Sequence, residues 1–175
     1  MNFIAHDPYI DPTVAKSVNV ELKDLESIFR ESDFLTINVP LGEETLHLVN
    51  SARLTLMKPT AYLINTSRGP VVDQTALVTA LTQGVIAGAG LDVFDPEPPE
   101  SDDPLLQLDN VILSPHALCW TDQCFAGIGA QDLEHVFAIK NGQVPQALAD
   151  PSVADEPTFQ RKLEHYRIHF GAQST

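Results

Sequence analysis

The sequence predicts an α/β fold built on a mostly parallel sheet, and three features carry that prediction. Short apolar runs of strand length alternate with capped helical segments, at the loop spacing of strand–helix–strand units. The run "DFLTINVP" is continuously apolar and β-branched, as a strand covered by helices on both faces requires. Polar residues recur just after such runs, at the carboxyl ends of strands, where open α/β sheets bind their ligands.

Taken in order, "NFIAHDPYIDP" reads as a short strand ending at Asp7, with Pro8 and Pro12 blocking a helix and forcing a loop. In "ELKDLESIFRES", Leu22, Leu25, Ile28 and Phe29 share one face at helical spacing, and Ser32-Asp33 closes the helix. "DFLTINVP" follows as a strand, then "SARLTLMK" as a short helix with Ser51 as its cap and Pro59 as its end. The rhythm repeats in strand "AYLINT", turn "SRGPVV", a helix "DQTALVTALTQG" capped by Asp73 and closed by Gly84, and strand "AGAGLDVF". After the acidic, proline-rich loop "DPEPPESDDP" come strand "NVILSP", turn "HALCW", and a helix from Thr121 to Lys140 that Asn141-Gly142 stops. Residues 143–175 form a C-terminal extension of loop and one further helix, so the expected organisation is a domain over 1–142 and an extension over 143–175.

Composition narrows the function classes. Of 175 residues, 43% are hydrophobic and 19% charged, a globular balance, and the net charge is -14. Such a charge repels phosphates at long range and argues against nucleic-acid or anionic-membrane partners, so an anionic ligand must be met locally. No run approaches the ~18 apolar residues of a membrane span, and no basic-then-apolar leader opens the chain. The two cysteines, Cys119 and Cys124, are too few for a disulfide framework; reduced thiols in the cytoplasm are expected.

The residues at strand ends carry the chemistry. Arg68, in "NTSRGPVVD", presents a planar fork that matches a carboxylate bidentately; the competing reading is a cap on local carbonyls. His116 follows "ILSP", where it can trade a proton with a substrate oxygen, and Glu97 in "DPEPPE" is the carboxylate to orient it, unless that loop is solvated surface only. A cation for a carboxylate, a proton donor and a supporting carboxylate together suit reduction of a 2-oxo acid. Asp7 can accept from the adenosine ribose hydroxyls and repel a 2'-phosphate, favouring NAD over NADP, or cap the turn through Pro8. Cys119, Cys124 and His116 are only three candidate ligands at irregular spacing, and no metal is expected; His165 and His169, at i and i+4, read as surface.

"AHDPYIDP", "TINVPLGEET", "MKPTAYLINTSRGPVVDQTALVTAL", "AGAGLDVFDPEPPESDDPL" and "NVILSPHA" together resemble the NAD-binding domain of the D-isomer-specific 2-hydroxyacid dehydrogenases, from Met1 to about Gly142. The resemblance implies a Rossmann-like, doubly wound parallel sheet and an NAD-dependent oxidoreductase that interconverts a D-2-hydroxy acid and a 2-oxo acid. It assigns Arg68 to the substrate carboxylate, His116 to proton transfer at C2, and Glu97 to His116. Asp7 would hold the ribose, Val39, Pro40 and Thr45 the adenine side, and Thr66, Ser67 and Asp92 the nicotinamide half. The complete enzyme would be a homodimer.

Two departures qualify it. The family's glycine-rich phosphate loop lies upstream of the strand ending at Asp7, where only Met1 stands here, so the sheet is expected to be incomplete at its N-terminal strand. Met1 reads as an internal methionine serving as the start of a truncated gene, and the isolated chain is expected to bind NAD weakly, to be inactive and to self-associate through open strand edges. The alternative function is a non-catalytic dinucleotide-binding or interaction module. In "HALCW", Leu118 and Cys119 stand where the family often has glycines, and the bulk of Leu118, Cys119 and Trp120 is expected to reshape the pocket.

Overall fold

In the computed structural model, which describes residues 1–171, the alternation of strands and helices builds two parallel sheets. β1 (Phe3–Ala5) pairs with β2 (Val20–Leu22), and β3 (Phe34–Ile37), β4 (Tyr62–Asn65), β5 (Gly88–Leu91) and β6 (Val111–Leu113) lie side by side in chain order. Helices α1 (Pro12–Ser17), α2 (Leu25–Glu31), α3 (Ser51–Leu54) and α4 (Gln74–Thr82) connect them. Two sheets, separated between β1 and β3 in the doubly wound order, are the interruption the sequence predicts.

Three local expectations are corrected. Pro12 does not block a helix but starts one: at the first helical position its missing N–H is not needed, and the Asp11 carboxylate caps the Thr13 N–H at 2.8 Å. Leu22 is not part of the following helix. It pairs with Ala5 in β2, and α2 begins only after Asp24, whose carboxylate takes the Ser27 N–H at 2.9 Å. The cap of α3 is Asn50 rather than Ser51, because the Asn50 side-chain Oδ1 accepts from the Arg53 N–H at 3.1 Å. Asp73 does cap α4, and Gly84 beyond its end takes a positive φ of 68°.

Period-2 alternation in the four-stranded sheet sorts its residues onto two faces. Leu35, Ile37, Leu63, Asn65, Ala89 and Leu91 are buried, and the core they form includes Phe29 of α2, Leu54 of α3 and Leu77 of α4. Phe34, Tyr62 and Ile112 point to the opposite face and are 66%, 44% and 80% exposed, with the Phe34 and Tyr62 rings stacked at 5.6 Å. The expectation that "DFLTINVP" is covered on both faces is therefore corrected: within its strand, Phe34 and Thr36 are exposed.

Packing divides the chain into Met1–Leu118 and a second unit from Cys119 onward. The second unit contains α5 (Asp122–Lys140) and α6 (Pro157–Phe170), with Thr121 capping α5 through the Cys124 N–H at 3.2 Å. This division falls before α5. Gly142 supplies the reason: it has φ 70° and no Cβ, and a Cβ there would stand 2.4 Å from that of Arg167, so α6 can close against the end of α5 and bury Leu163. The last four residues of the 143–175 extension lie outside the described residues. No described helix is long and apolar enough to cross a membrane.

The face assignment is checked by a pair of substitutions. Leu63→Ala, which opens a cavity in the central strand, should lower unfolding free energy by about 2–5 kcal/mol. Ile112→Thr on the open face should change it by no more than about 0.5 kcal/mol. Urea denaturation of both variants measures the contrast, and equal losses would contradict it.

Candidate active site

Register aligns the carboxyl ends of the strands. Ile37 lies beside Asn65, Asn65 beside Leu91, and Leu91 beside Leu113. The ladder continues one residue further, with the Asp92 N–H donating to Asn65 O at 3.0 Å and the Ser114 N–H to Leu91 O at 2.9 Å. Thr66, Asp92 and Ser114 consequently leave the sheet along one edge.

At the end of β4, buried Asn65 organises the turn that presents Arg68. Its Oδ1 accepts from both the backbone N–H and the hydroxyl of Ser67 at 3.0 Å, and its Nδ2 donates to Arg68 O at 3.0 Å. Arg68 itself is exposed and donates through Nη1 to Ser67 O at 2.7 Å, so it serves a local carbonyl while its guanidinium faces out of the turn. Gly69 is required next, since a Cβ there would lie 1.7 Å from the Phe94 carbonyl oxygen. That close approach brings the Arg68 turn against the strand-end loop that carries Glu97.

Glu97 and His116 meet at 2.5 Å, Oε1 to Nδ1, with side chains 37% and 44% exposed. The Glu97 carboxyl is held below its ordinary value by the bond to His116 above all, by the Phe94 N–H and by the attraction of His116 and Arg68, which together outweigh the effect of burial. Arg68, Glu97 and His116 are thus brought into one electrostatic neighbourhood. The acidic loop is more than solvated surface.

His116 adopts a left-handed backbone, φ 56°, which is uncommon for a residue with a side chain. Asp92 provides the restraint. It is 4% exposed, and its two carboxylate oxygens take the N–H groups of Ala117 at 2.9 Å and Leu118 at 3.2 Å, the two residues after the histidine. Burial alone would push the Asp92 carboxyl up, but the Ser114 hydroxyl, these two N–H groups and nearby His116 hold it below its ordinary value.

The remaining expected residues are placed as follows. Asp7 lies exposed just beyond β1, with Oδ1 accepting from the Tyr9 and Ile10 N–H groups at 2.9 and 3.2 Å, so it caps its turn. Val39 packs partly against the core, and Pro40 is exposed. The Thr45 hydroxyl donates to Pro40 O at 2.7 Å and accepts from the Gly42 N–H at 2.8 Å, closing the loop after β3. Thr66 is exposed at the end of β4, and Ser67 is tied to Asn65. Sequence reasoning missed Asn65, whose only signal is a polar residue ending an apolar strand directly before "TSRG". It also missed Gln74, which touches Asp95 and Asp103 at the two ends of the acidic loop. Among the described residues no cluster of three or more His, Cys, Asp or Glu is placed to hold a metal.

Comparison with known proteins matches this geometry to a family. The D-isomer specific 2-hydroxyacid dehydrogenase NAD binding domain matches residues 1–117. A glyoxylate reductase from Korarchaeum cryptofilum is 44% identical over 162 residues, covering 91% of this chain and 49% of that protein. Among solved structures, an NAD-complexed D-isomer specific 2-hydroxyacid dehydrogenase from Lactobacillus delbrueckii ssp. bulgaricus superposes with a TM-score of 0.74 at 30% identity, over 84% of this chain and 48% of that one. The D-lactate dehydrogenase of Aquifex aeolicus, solved with NAD and lactic acid, gives 0.72 at 34% identity over 81% and 47%. The chain spans about half the length of the relatives it matches.

Asp92 generates a pH prediction. A carboxyl whose folded pKa lies below its unfolded value contributes stability above the unfolded value and loses it as pH falls through the folded one. Asp92→Asn should cost about 1–3 kcal/mol at pH 7, by leaving an N–H of residue 117 or 118 poorly served. It should also shrink the drop in stability between pH 7 and pH 3. Urea midpoints of both proteins at the two pH values test this, and parallel drops would contradict it.

Proposed function

We propose a function from one premise: the chain belongs to the D-isomer specific 2-hydroxyacid dehydrogenase family, through its NAD binding domain. The whole protein interconverts a 2-hydroxy acid and a 2-oxo acid with NAD, and this chain supplies the groups that bind the substrate carboxylate and move the proton. The contact that carries the reading is Glu97 on His116 at 2.5 Å, beside Arg68, at the carboxyl edge of the sheet.

The Arg68 guanidinium anchors the substrate carboxylate and compensates locally for a chain whose net charge of -14 would repel it. Because Glu97 engages Nδ1 of His116, Nε2 is the ring nitrogen left to serve the oxygen at C2. In reduction it gives its proton to that oxygen; in oxidation it takes the hydroxyl proton, and Glu97 stabilises the imidazolium that results. Bound nicotinamide supplies or receives the hydride at C2.

The residues at the edge fit such a cofactor. Asp7 is an exposed carboxylate beyond β1, suited to a ribose diol and opposed to a 2'-phosphate. Val39, Pro40 and Thr45 follow β3, on the adenine side, and Thr66 and Ser67 follow β4, on the nicotinamide side. We read the whole protein as a cytoplasmic homodimer, a reading supported by its two free thiols and by family resemblance.

Calorimetric titration should show NAD binding at least about tenfold tighter than NADP, and Asp7→Asn should narrow the difference; equal affinities for both cofactors would sink the Asp7 assignment. With NADH and a panel of 2-oxo acids, His116→Gln and Arg68→Met should each lower kcat/KM by about 10²–10⁴-fold. Unchanged turnover in either variant would remove that residue from the mechanism. A whole protein that turns over no 2-oxo acid would favour the non-catalytic module.

A further inference from the structure

Glu97 sits in a loop that has little reason of its own to stay folded. Residues 95–103 carry five carboxylates, Asp95, Glu97, Glu100, Asp102 and Asp103, and Glu97 is more than a third exposed. Like charges in solvent favour an extended loop, and the bond to His116 would then be made only part of the time. Something must hold the loop by its ends.

The two ends converge on one side chain. Gln74, the first residue of α4, accepts the Asp95 N–H on Oε1 at 3.0 Å and donates from Nε2 to Asp103 Oδ2 at 2.7 Å. Asp103 is buried, and its other oxygen takes the Leu105 N–H at 2.9 Å, beside a fully buried Leu105 side chain. The start of α4 is itself fixed by Asp73, which caps the Ala76 N–H at 3.0 Å. The chemistry of the position is demanding. One planar group must accept at one end and donate at the other, which an amide can do, a carboxylate cannot and an ammonium cannot.

We propose that Gln74 is a positioning residue: by tying Asp95 to Asp103 it closes the base of the acidic loop and holds Glu97 on His116, without touching substrate or cofactor. The proposal deepens the catalytic reading, since it rests on Glu97 serving His116. The groups facing Glu97 are His116, the Phe94 N–H and Arg68, and none of them is altered by a change at position 74.

The test reverses the polarity of the clasp. Gln74→Glu keeps the acceptor for Asp95 but sets a carboxylate against Asp103. Asp103→Asn alone sets two amides against each other. Gln74→Leu removes the clasp with no change of charge. Combining Gln74→Glu with Asp103→Asn restores a donor and an acceptor at the same place with the original net charge, the new amide at 103 keeping an oxygen for Leu105. The readouts are the ¹³C NMR titration of the Glu97 carboxyl and the low-field Nδ1 proton of His116, in the whole 175-residue chain. In the three single variants the Glu97 midpoint should rise toward the ordinary glutamate range and the low-field proton should weaken or vanish. The double variant should restore both.

An unmoved Glu97 titration in all three single variants would overturn the proposal. So would a double variant that matches the native urea midpoint yet leaves Glu97 unrestored, because a purely structural role would then explain the singles. Neither readout depends on turnover. A restored titration in the chain, with a whole protein that reduces no 2-oxo acid, would support the clasp and refute the catalytic reading, whereas normal turnover by the whole protein with an unmoved titration would do the reverse.

Discussion

The site depends on the in-register ending of β4, β5 and β6. Parallel pairing places Asn65, Leu91 and Leu113 side by side, so the residues that follow them emerge at one height along one edge. A slip of one residue in either ladder would turn Leu63 or Leu91 to the open face and carry Asn65 or Asp92 with it. Burial of Leu63, Ala89 and Leu91 against α2, α3 and α4 forbids that slip. The hydrophobic core thereby sets the position of polar groups that contribute nothing to it.

Beyond the strand ends, the backbone is shaped by short polar side chains rather than by apolar packing. Asn65 serves the Arg68 turn, Asp92 the two residues after His116, and Gln74 the ends of the acidic loop. Each is buried or partly buried, and each has its donors and acceptors used by neighbouring backbone or side chains. In a low-dielectric surrounding such satisfied bonds are costly to break, which suits them to holding geometry. Arg68, Glu97 and His116 are exposed by comparison, as their proposed roles require. Rigid polar supports below and accessible charged groups above are what the close approach of Gly69 to Phe94 joins into one assembly.

Electrostatics point the same way. A chain with net charge -14 attracts a small anion only where local cations prevail. Arg68 and His116 are the side chains that help hold the Glu97 carboxyl below its ordinary value, the bond to His116 above all. Arg68, Glu97 and His116 therefore form one charge arrangement, not separate ones.

The alternation of strands and helices, the cap at Asp73, the glycine stops and the placing of Arg68 and His116 at strand ends were readable from the sequence. They follow from periodicity, from side chains that cap locally, and from the rule that ligands lie beyond carboxyl ends. Where reading failed, a pairing that periodicity does not register decided, whether distant or adjacent. Leu22 has helical spacing to Leu25 but joins β1 as a strand, and Pro12 begins a helix because Asp11 caps it. The exposed side of β3 could not be seen, since an apolar run does not tell whether a neighbour covers both faces. Nor could the roles of Asn65, Asp92 and Gln74, which are defined by atoms two to 29 positions away and appear only when the chain has folded. Sequence determined which chemical groups this protein owns and on which edge they stand; tertiary structure alone decided which of them are tied to neighbouring backbone and which stay exposed, because hydrogen bonds between distant segments leave no periodic trace in the chain.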